Sequence, residues 1–142
     1  MTGLGANPPV LYLTGASQGF VIGTDVSATF GSLELQMGGP FSNASLSGPY
    51  AYGTEGGDVG RRVTAVGTMR FDGTSTEGTE DDAVAAGLMP DQSWSGVPYA
   101  FAGDGRGTLD AQGHTVGYIV SPGKLVYINT PAGRPRLVIV EK

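Results

Sequence analysis

Short apolar runs that alternate with polar residues recur along the whole chain. In the clearest case, one face of a strand carries Val63, Ala65, Gly67, Met69 and Phe71, and the other carries Thr64, Val66, Thr68 and Arg70. The apolar set should point inward, because successive side chains of a strand alternate between its two faces. The two-residue period predicts strands over Val10–Thr14, Gly19–Thr24, Gly31–Met37, Gly48–Thr54, Arg62–Asp72, Ser75–Asp81, Ser93–Gly103, Gly105–Ala111, His114–Ser121, Lys124–Asn129 and Arg136–Glu141.

One stretch has helical character. Asp81–Leu88, with the sequence DDAVAAGL, begins with acidic residues and contains three alanines. Gly87 and Pro90 would end such a helix early. We therefore expect at most one short helix, of one or two turns.

Turn sequences separate the predicted strands. Asp72-Gly73 and Asp104-Gly105 suit tight hairpins, and Ser121-Pro122-Gly123 suits a type II turn. Such short connections favour antiparallel meanders, because parallel strands need long crossovers. Closing the sheet into a barrel also removes the exposed edges of an open sheet. The sequence predicts an all-β fold, an antiparallel up-and-down β-barrel of about 8–10 strands, with a two-sheet sandwich as the alternative.

Composition narrows the class of protein. The 142 residues include 25 glycines and 9 prolines, yet 39% of the residues are apolar, which fits a folded chain rich in turns. A chain of this length is most often one domain, and we expect a single domain over residues 1–142. Cysteine is absent, which excludes disulfides and thiolate chemistry.

Charge and hydropathy limit the partners. Charged residues make up 15% of the chain and the net charge is −5, so we expect no nucleic-acid partner, which would need clustered Lys and Arg. No run approaches the roughly 20 apolar residues of a membrane helix, and we expect no membrane insertion. The start, MTGLGANPPV, lacks the basic and apolar regions of a signal peptide, so we interpret Met1 as a start added to an excised domain.

The two ends of the chain resemble each other. LYLTGASQGFVIGTD, over residues 11–25, is similar to GYIVSPGKLVYINT, over residues 117–130. Both suggest a strand, a tight turn and a strand, and each is followed by a third strand-like run, GSLELQM or RLVIVEK. The first 37 residues therefore echo the C-terminal strands, as parts of a repeat would.

Several motifs in order resemble a known family. They are GTDVSATFGSLELQMGGPFSNASLSGPYAYGTE, VGTMRFDGTSTEGTEDD, DGRGTL and YIVSPGKLVYI. Over residues 11–142 they resemble the tandem-repeat lipocalin-like (calycin-like) β-barrel domains of large secreted or surface proteins of soil bacteria. The resemblance implies a barrel of unknown function without established catalytic residues, at the cell surface or outside the cell. It also implies that Asn43–Lys142 is one complete repeat and that residues 10–37 resemble the last strands of a preceding repeat.

The three N-terminal strands then need a sheet to join. They could enlarge the barrel to about ten strands, displace their C-terminal equivalents, or pair with a second molecule in a strand-exchanged homodimer. We expect enlargement of the single barrel, with the homodimer as the second alternative.

His114, the only histidine, suggests one catalytic alternative. Asp110 lies four residues earlier, across a predicted turn, so the two residues could form part of a hydrolase site for esters or lactones. A triad would also need a serine, but Val116 occupies the next position on the same face and no Gly-x-Ser-x-Gly elbow occurs. We favour the interpretation that His114 is an exposed residue at a turn.

An acidic run raises the question of a cation site. It contains Glu77, Glu80, Asp81 and Asp82. Calcium loops space their oxygen ligands regularly and place a glycine at the sharp bend, and this run does neither. We interpret it as a solvated acidic loop and predict no metal site and no cofactor.

Aromatic residues supply the best candidates for a binding site. The candidates all lie in predicted strands: Tyr50, Tyr52, Phe71, Trp94, Tyr99, Phe101, Tyr118 and Tyr127. Those that point into a barrel would either fill the core or line a pocket for a small hydrophobic molecule, whose polar group could meet a buried tyrosine hydroxyl. We expect a non-enzymatic barrel module that binds such a ligand; a small hydrolase and a purely structural repeat are the alternatives.

Overall fold

Two units of antiparallel strands make up the chain. The computed structural model describes residues 10–24, 30–58, 61–62, 64–129 and 136–142. One unit is Met1–Gln36 and the other is Met37–Lys142. The strands in both units pair with antiparallel neighbours, so the all-β prediction is confirmed.

The first unit contains a three-stranded sheet. Its strands are β1 (Val10–Leu13), β2 (Gln18–Ile22) and β3 (Phe30–Glu34), paired in that order. All four residues of β1 are exposed. The barrel enlarged by these strands, which the sequence led us to expect, does not form among the described residues, because the three strands pair with one another instead.

The second unit holds the larger sheet. Its strands are β4 (Gly48–Asp58), β5 (Arg61–Arg62), β6 (Thr64–Phe71), β7 (Ser75–Val84), β8 (Gly87–Pro98), β9 (Ala100–Phe101), β10 (Arg106–Thr108), β11 (Thr115–Ser121), β12 (Lys124–Asn129) and β13 (Arg136–Glu141). A short 3₁₀ helix, Asn43–Ser45, precedes β4.

In the larger sheet, most strands pair with the strands that precede and follow them in the chain, and the first strand, β4, also pairs with the last, β13. The path runs β8-β7-β6-β4-β13-β12-β11-β10-β9, and β5 pairs with β4 beside it. The two ends of the path, β8 and β9, are separated in the chain by Tyr99 alone. The pairing thus returns to the segment on which it began, and the fold is an up-and-down antiparallel β-barrel-like sheet, as the sequence predicts.

Side chains of β6 alternate as their sequence predicts. Ala65, Met69 and Phe71 are buried, whereas Thr64, Val66, Thr68 and Arg70 are exposed. Val63, which the same prediction included, lies outside the described residues. The apolar face of this strand therefore forms part of the barrel core.

One end of the barrel is filled with apolar side chains. The buried cluster there includes Phe41, Leu46, Tyr50, Phe71, Ile119, Leu125 and Val140. The Phe71 ring meets the rings of Tyr50 and Tyr99 edge to face, with centroids 5.3 and 5.2 Å apart. Burying one such side chain contributes about 1.5–3 kcal/mol, so this cluster is the main source of stability in the unit.

The helix predicted at Asp81–Leu88 is wrong. Strand β7 continues to Val84, a turn follows at Ala85-Ala86, and Gly87 begins β8 opposite Val84. Helix propensity differs by less than about 1 kcal/mol per residue between ordinary residues, so strand pairing on both sides of β7 outweighs the preference of the alanines.

Candidate functional site

A cavity of about 210 Å³ opens in the barrel beside the buried core. Its walls are Tyr52, Thr54, Met69, Thr76, Glu80, Trp94, Val97, Leu109, Thr115, Tyr127, Asn129, Arg136 and Val138. The strand register explains why polar side chains line part of this cavity. On β13 the inward positions change from Val140 and Val138 to Arg136, and on the paired β12 they change from Leu125 and Tyr127 to Asn129.

Tyr52 and Glu80 form the shortest polar contact in the cavity. The Tyr52 hydroxyl donates a hydrogen bond to Glu80 Oε2 at 2.6 Å. Burial raises the pKa of Tyr52 far above its ordinary value, and the hydrogen bond to the Glu80 carboxylate raises it further. Tyr52 is therefore a neutral donor at physiological pH.

Tyr127 faces the same carboxylate. Burial raises the pKa of Tyr127 strongly, the charge of Glu80 adds to the increase, and Arg136 opposes it. Both tyrosine hydroxyls in the cavity thus keep their protons, and the proton of Tyr52 is already donated to Glu80.

Arg136 brings a positive charge to the cavity wall. Its Nη1 lies 3.8 Å from Asp82 Oδ1, and the two side chains are 22% and 18% exposed. That distance makes an ion pair and is too long for a hydrogen bond, which agrees with Asp82 Oδ1 being buried without a hydrogen-bond partner.

Thr76 leaves a polar atom unsatisfied. Thr76 is 2% exposed, and its Oγ1 has no hydrogen-bond partner. Buried hydroxyls are almost always hydrogen-bonded, because an unsatisfied one costs about 1–3 kcal/mol. The Thr76 hydroxyl is therefore an unused hydrogen-bonding group in the cavity wall.

A β-bulge directs two side chains of β8 into the cavity. Thr76 pairs with Val97 and Gly78 pairs with Trp94, so the single residue between them on β7 faces two residues on β8. Gly96, with a φ of 68°, lies inside this irregularity. Because a bulge changes which face a side chain occupies, Trp94 and Val97 both line the cavity although they are three residues apart.

The eight aromatic candidates divide into three groups. Tyr52, Trp94 and Tyr127 line the cavity and also lie in or against the buried core. Tyr50, Phe71, Tyr99 and Phe101 pack in or against the apolar core. Tyr118 is 51% exposed, so its assignment to the barrel interior is wrong: inward and outward positions alternate on β11, and the neighbours Gly117 and Ile119 are the buried ones.

His114 and Asp110 meet through the backbone. Asp110 Oδ1 accepts a hydrogen bond from the His114 main-chain N–H at 3.0 Å, and the His114 side chain is exposed. Although burial alone would raise the pKa of Asp110, hydrogen bonds from Thr115 and from the turn amides lower it. The carboxylate therefore holds the turn before β11 in place.

The acidic run is a strand, contrary to the solvated loop that the sequence suggested. Glu77 and Asp81 point outward and are exposed, whereas Glu80 and Asp82 are half-buried on the inner face of β7. The alternation could have been found in STEGTEDDAV by continuing the two-residue period of Ser75–Asp81, but the charged residues obscured it. No pattern in the sequence marked Arg136, Asn129 or the threonines of the cavity wall as residues of a binding site.

Comparison of the chain with protein-family models, curated proteins and solved structures finds no similar protein. Among the described residues, no group of three or more acidic or histidine side chains is arranged to hold a metal ion. Nor does any helix in that part of the chain have the length and hydrophobicity of a transmembrane span.

Proposed function

We propose that the chain is a non-enzymatic, lipocalin-like β-barrel module that binds one small molecule in its cavity. One observation carries the proposal: Tyr52, Trp94 and Tyr127 converge on an open space at the polar end of an otherwise packed barrel. Ligand pockets typically combine apolar and aromatic walls with a few polar groups that fix orientation. Met69, Leu109 and Val138 supply the apolar part here.

The size of the cavity limits the ligand. A cavity of about 150 Å³ accommodates a benzene ring, and the cavity here measures about 210 Å³. A single ring with a short substituent matches that space, whereas a long acyl chain does not. The ligand is therefore smaller and more polar than the hydrophobic molecule expected from the sequence.

The setting of the module is part of the same proposal. The motifs that resemble tandem-repeat barrel domains favour a repeat of a secreted or surface protein. The barrel-like sheet within Met37–Lys142 fits a self-contained repeat that begins near Asn43.

Trp94 is the only tryptophan in the chain and lines the cavity, so its fluorescence reports on binding there. We expect titration of the full chain with monocyclic aromatic compounds of positive, neutral and negative charge to change the Trp94 emission saturably for at least one of them. Native mass spectrometry of the freshly purified chain would show a ligand retained from expression. The absence of both a saturable response and a retained mass would overturn the proposal.

A further inference from the structure

We propose that the cavity binds a small aromatic amine, with its charged nitrogen beside Glu80, its ring beside Trp94 and a hydroxyl group at Thr76. This inference rests on the proposed function and names the class of ligand for the same cavity. Three observations support it: the charge of the cavity, its unsatisfied polar atoms and its aromatic walls.

The charge of the cavity favours a cation. Arg136 is the only cationic side chain among the described wall residues, and Asp82 lies beside it as a counter-ion. Glu80 has a neutral partner, Tyr52. The three charged groups together carry one net negative charge, so a cation neutralises the cavity and an anion would increase the imbalance.

The Glu80 carboxylate can accept a further hydrogen bond. Among the described residues, Tyr52 is the one that donates to this carboxylate, and it does so to Oε2. An ionised carboxylate only accepts hydrogen bonds, so its other oxygen can be satisfied by a donor from water or from a ligand. An ammonium group supplies that donor together with the missing positive charge.

Thr76 marks the other end of the ligand. It lies four residues before Glu80 on β7, about 13 Å along an extended strand. A hydroxyl can donate or accept, so it can pair with a hydroxyl on the ligand. A ring that carries an aminoethyl group and a hydroxyl at opposite positions spans this distance with one hydrogen bond at each end.

Trp94 supplies the wall between these two polar groups. The inward residue between Thr76 and Glu80 is Gly78, and a β-carbon placed there would lie 2.6 Å from Trp94 Cζ2. The indole therefore occupies the space above the glycine. With Tyr52 and Tyr127 in the same cavity, three aromatic rings are available to an aromatic cation, which their π faces attract.

A matched set of four compounds tests the assignment in the full chain by isothermal titration calorimetry. Tyramine carries the ammonium group, 2-(4-hydroxyphenyl)ethanol is its neutral analogue, 4-hydroxyphenylacetate is its anionic analogue, and phenethylamine lacks the hydroxyl. We expect tyramine to bind most tightly, with the neutral and anionic analogues weaker by about ten- to a hundredfold, the effect of losing one charge-assisted hydrogen bond.

Two substitutions locate the interaction. Glu80→Gln should lower the affinity for tyramine more than the affinity for the neutral alcohol, and so reduce the preference for tyramine. Glu77→Gln removes an exposed carboxylate from the outer face of the same strand and should change neither affinity. Thr76→Val should reduce the preference for tyramine over phenethylamine.

The outcomes separate the two proposals. If the alcohol or the carboxylate binds the wild-type chain as tightly as tyramine, the cation assignment is wrong and the binding function stands. The same holds if Glu80→Gln keeps the preference for tyramine. If none of the four compounds binds, the aromatic-amine assignment is wrong, and the Trp94 titrations with native mass spectrometry decide the binding function. The wild-type titrations alone decide these points should Glu80→Gln fail to fold.

Discussion

At the residue scale, four aromatic side chains of the barrel lie opposite a glycine on the neighbouring strand. The pairs are Tyr52 with Gly67, Trp94 with Gly78, Phe101 with Gly107 and Tyr127 with Gly117. In each pair, a β-carbon on the glycine would lie within about 3 Å of its aromatic partner. Gly67, Gly78 and Gly107 thus make room for rings that lie across the sheet, as in aromatic rescue of strand glycines, and Gly117 makes room for the β-carbon of Tyr127.

Gly78→Ala tests this packing at the cavity. The added methyl group would meet Trp94 and the main-chain oxygen of Thr68, so we expect the free energy of unfolding to fall by about 1–3 kcal/mol in urea titrations. Gly53→Ala is the control, because nothing lies within 4 Å of a β-carbon at that strand position. Equal effects of the two substitutions would contradict the steric argument.

Asp72 gives a pH-dependent prediction. Backbone hydrogen bonds from Ser75 and Thr74, with side-chain hydrogen bonds from the same residues, lower its pKa well below the ordinary value of 3.8. The folded state therefore binds this proton less readily than the unfolded state. The contribution of Asp72 to stability is present above pH 3.8 and is lost as the pH falls through the folded pKa.

Asp72→Asn should accordingly flatten the acid side of the stability curve. Thermal unfolding followed by circular dichroism between pH 2 and pH 6 measures the slope. Glu77→Gln, an exposed carboxylate of the same hairpin, is the control and should leave the acid slope closer to wild type. An unchanged slope in Asp72→Asn would show that the turn hydrogen bonds do not favour the ionised form.

At the element scale, the bend between β8 and β9 joins the two ends of the sheet. Asn43 holds this bend: its Nδ2 donates to the Tyr99 carbonyl at 3.1 Å, and its Oδ1 accepts from Phe101 N–H at 2.8 Å. The Tyr99 hydroxyl accepts from Gly73 N–H at 2.7 Å. The side-chain amide of Asn43 thus hydrogen-bonds two backbone groups at the point where the chain passes from β8, which pairs with β7, to β9, which pairs with β10.

Asn43→Ala should weaken this closure. Two backbone groups would lose their partner, so we expect a loss of about 1–3 kcal/mol in the free energy of unfolding. Asn43→Asp keeps the acceptor for Phe101 and removes the donor to Tyr99, so it should lie between wild type and Asn43→Ala. Urea unfolding of the three chains provides the comparison. If Asn43→Ala matches wild type, the bend does not depend on this residue.

Sequence patterns determined some elements better than others. The strands Lys124–Asn129 and Arg136–Glu141 match the structure, because apolar alternation and clear turns bound them. The predicted strands Ser75–Asp81 and Ser93–Gly103 cover parts of β7 and β8, but the turn end of this hairpin was missed, because the alanines suggested a helix there. The bulge that places Trp94 beside Val97 has only Gly96 as a local signal, so the cavity could not be derived in detail.

At the scale of the whole molecule, the ring of strand pairing lies within Met37–Lys142. The segment before β4 contributes Phe41 and Leu46 to its core, and both are buried. This unit therefore contains the complete barrel-like sheet. Exchange of the N-terminal strands with a second molecule stays a prediction. Light scattering of the full chain would distinguish a monomer from the strand-exchanged homodimer.

A chain of residues 37–142 should fold by itself. Because it keeps the pairing of β4 with β13 and the apolar core, we expect one cooperative unfolding transition and a midpoint close to that of the full chain. Removal of residues 1–43 is the matched comparison, since it also deletes Phe41 and Asn43 and should lower the midpoint. A 37–142 chain without a cooperative transition would show that the first unit is required.

The most direct test of the binding cavity uses the methionine methyl groups. Met69 is 3% exposed and lines the cavity, whereas Met89 on β8 and Met37 are 46% and 58% exposed. In NMR spectra of the full chain labelled with ¹³C-methyl methionine, we predict that tyramine shifts the Met69 signal saturably and leaves those of Met37 and Met89 in place. A saturable shift confined to Met37 or Met89, or no shift in any of the three, would contradict binding inside the barrel.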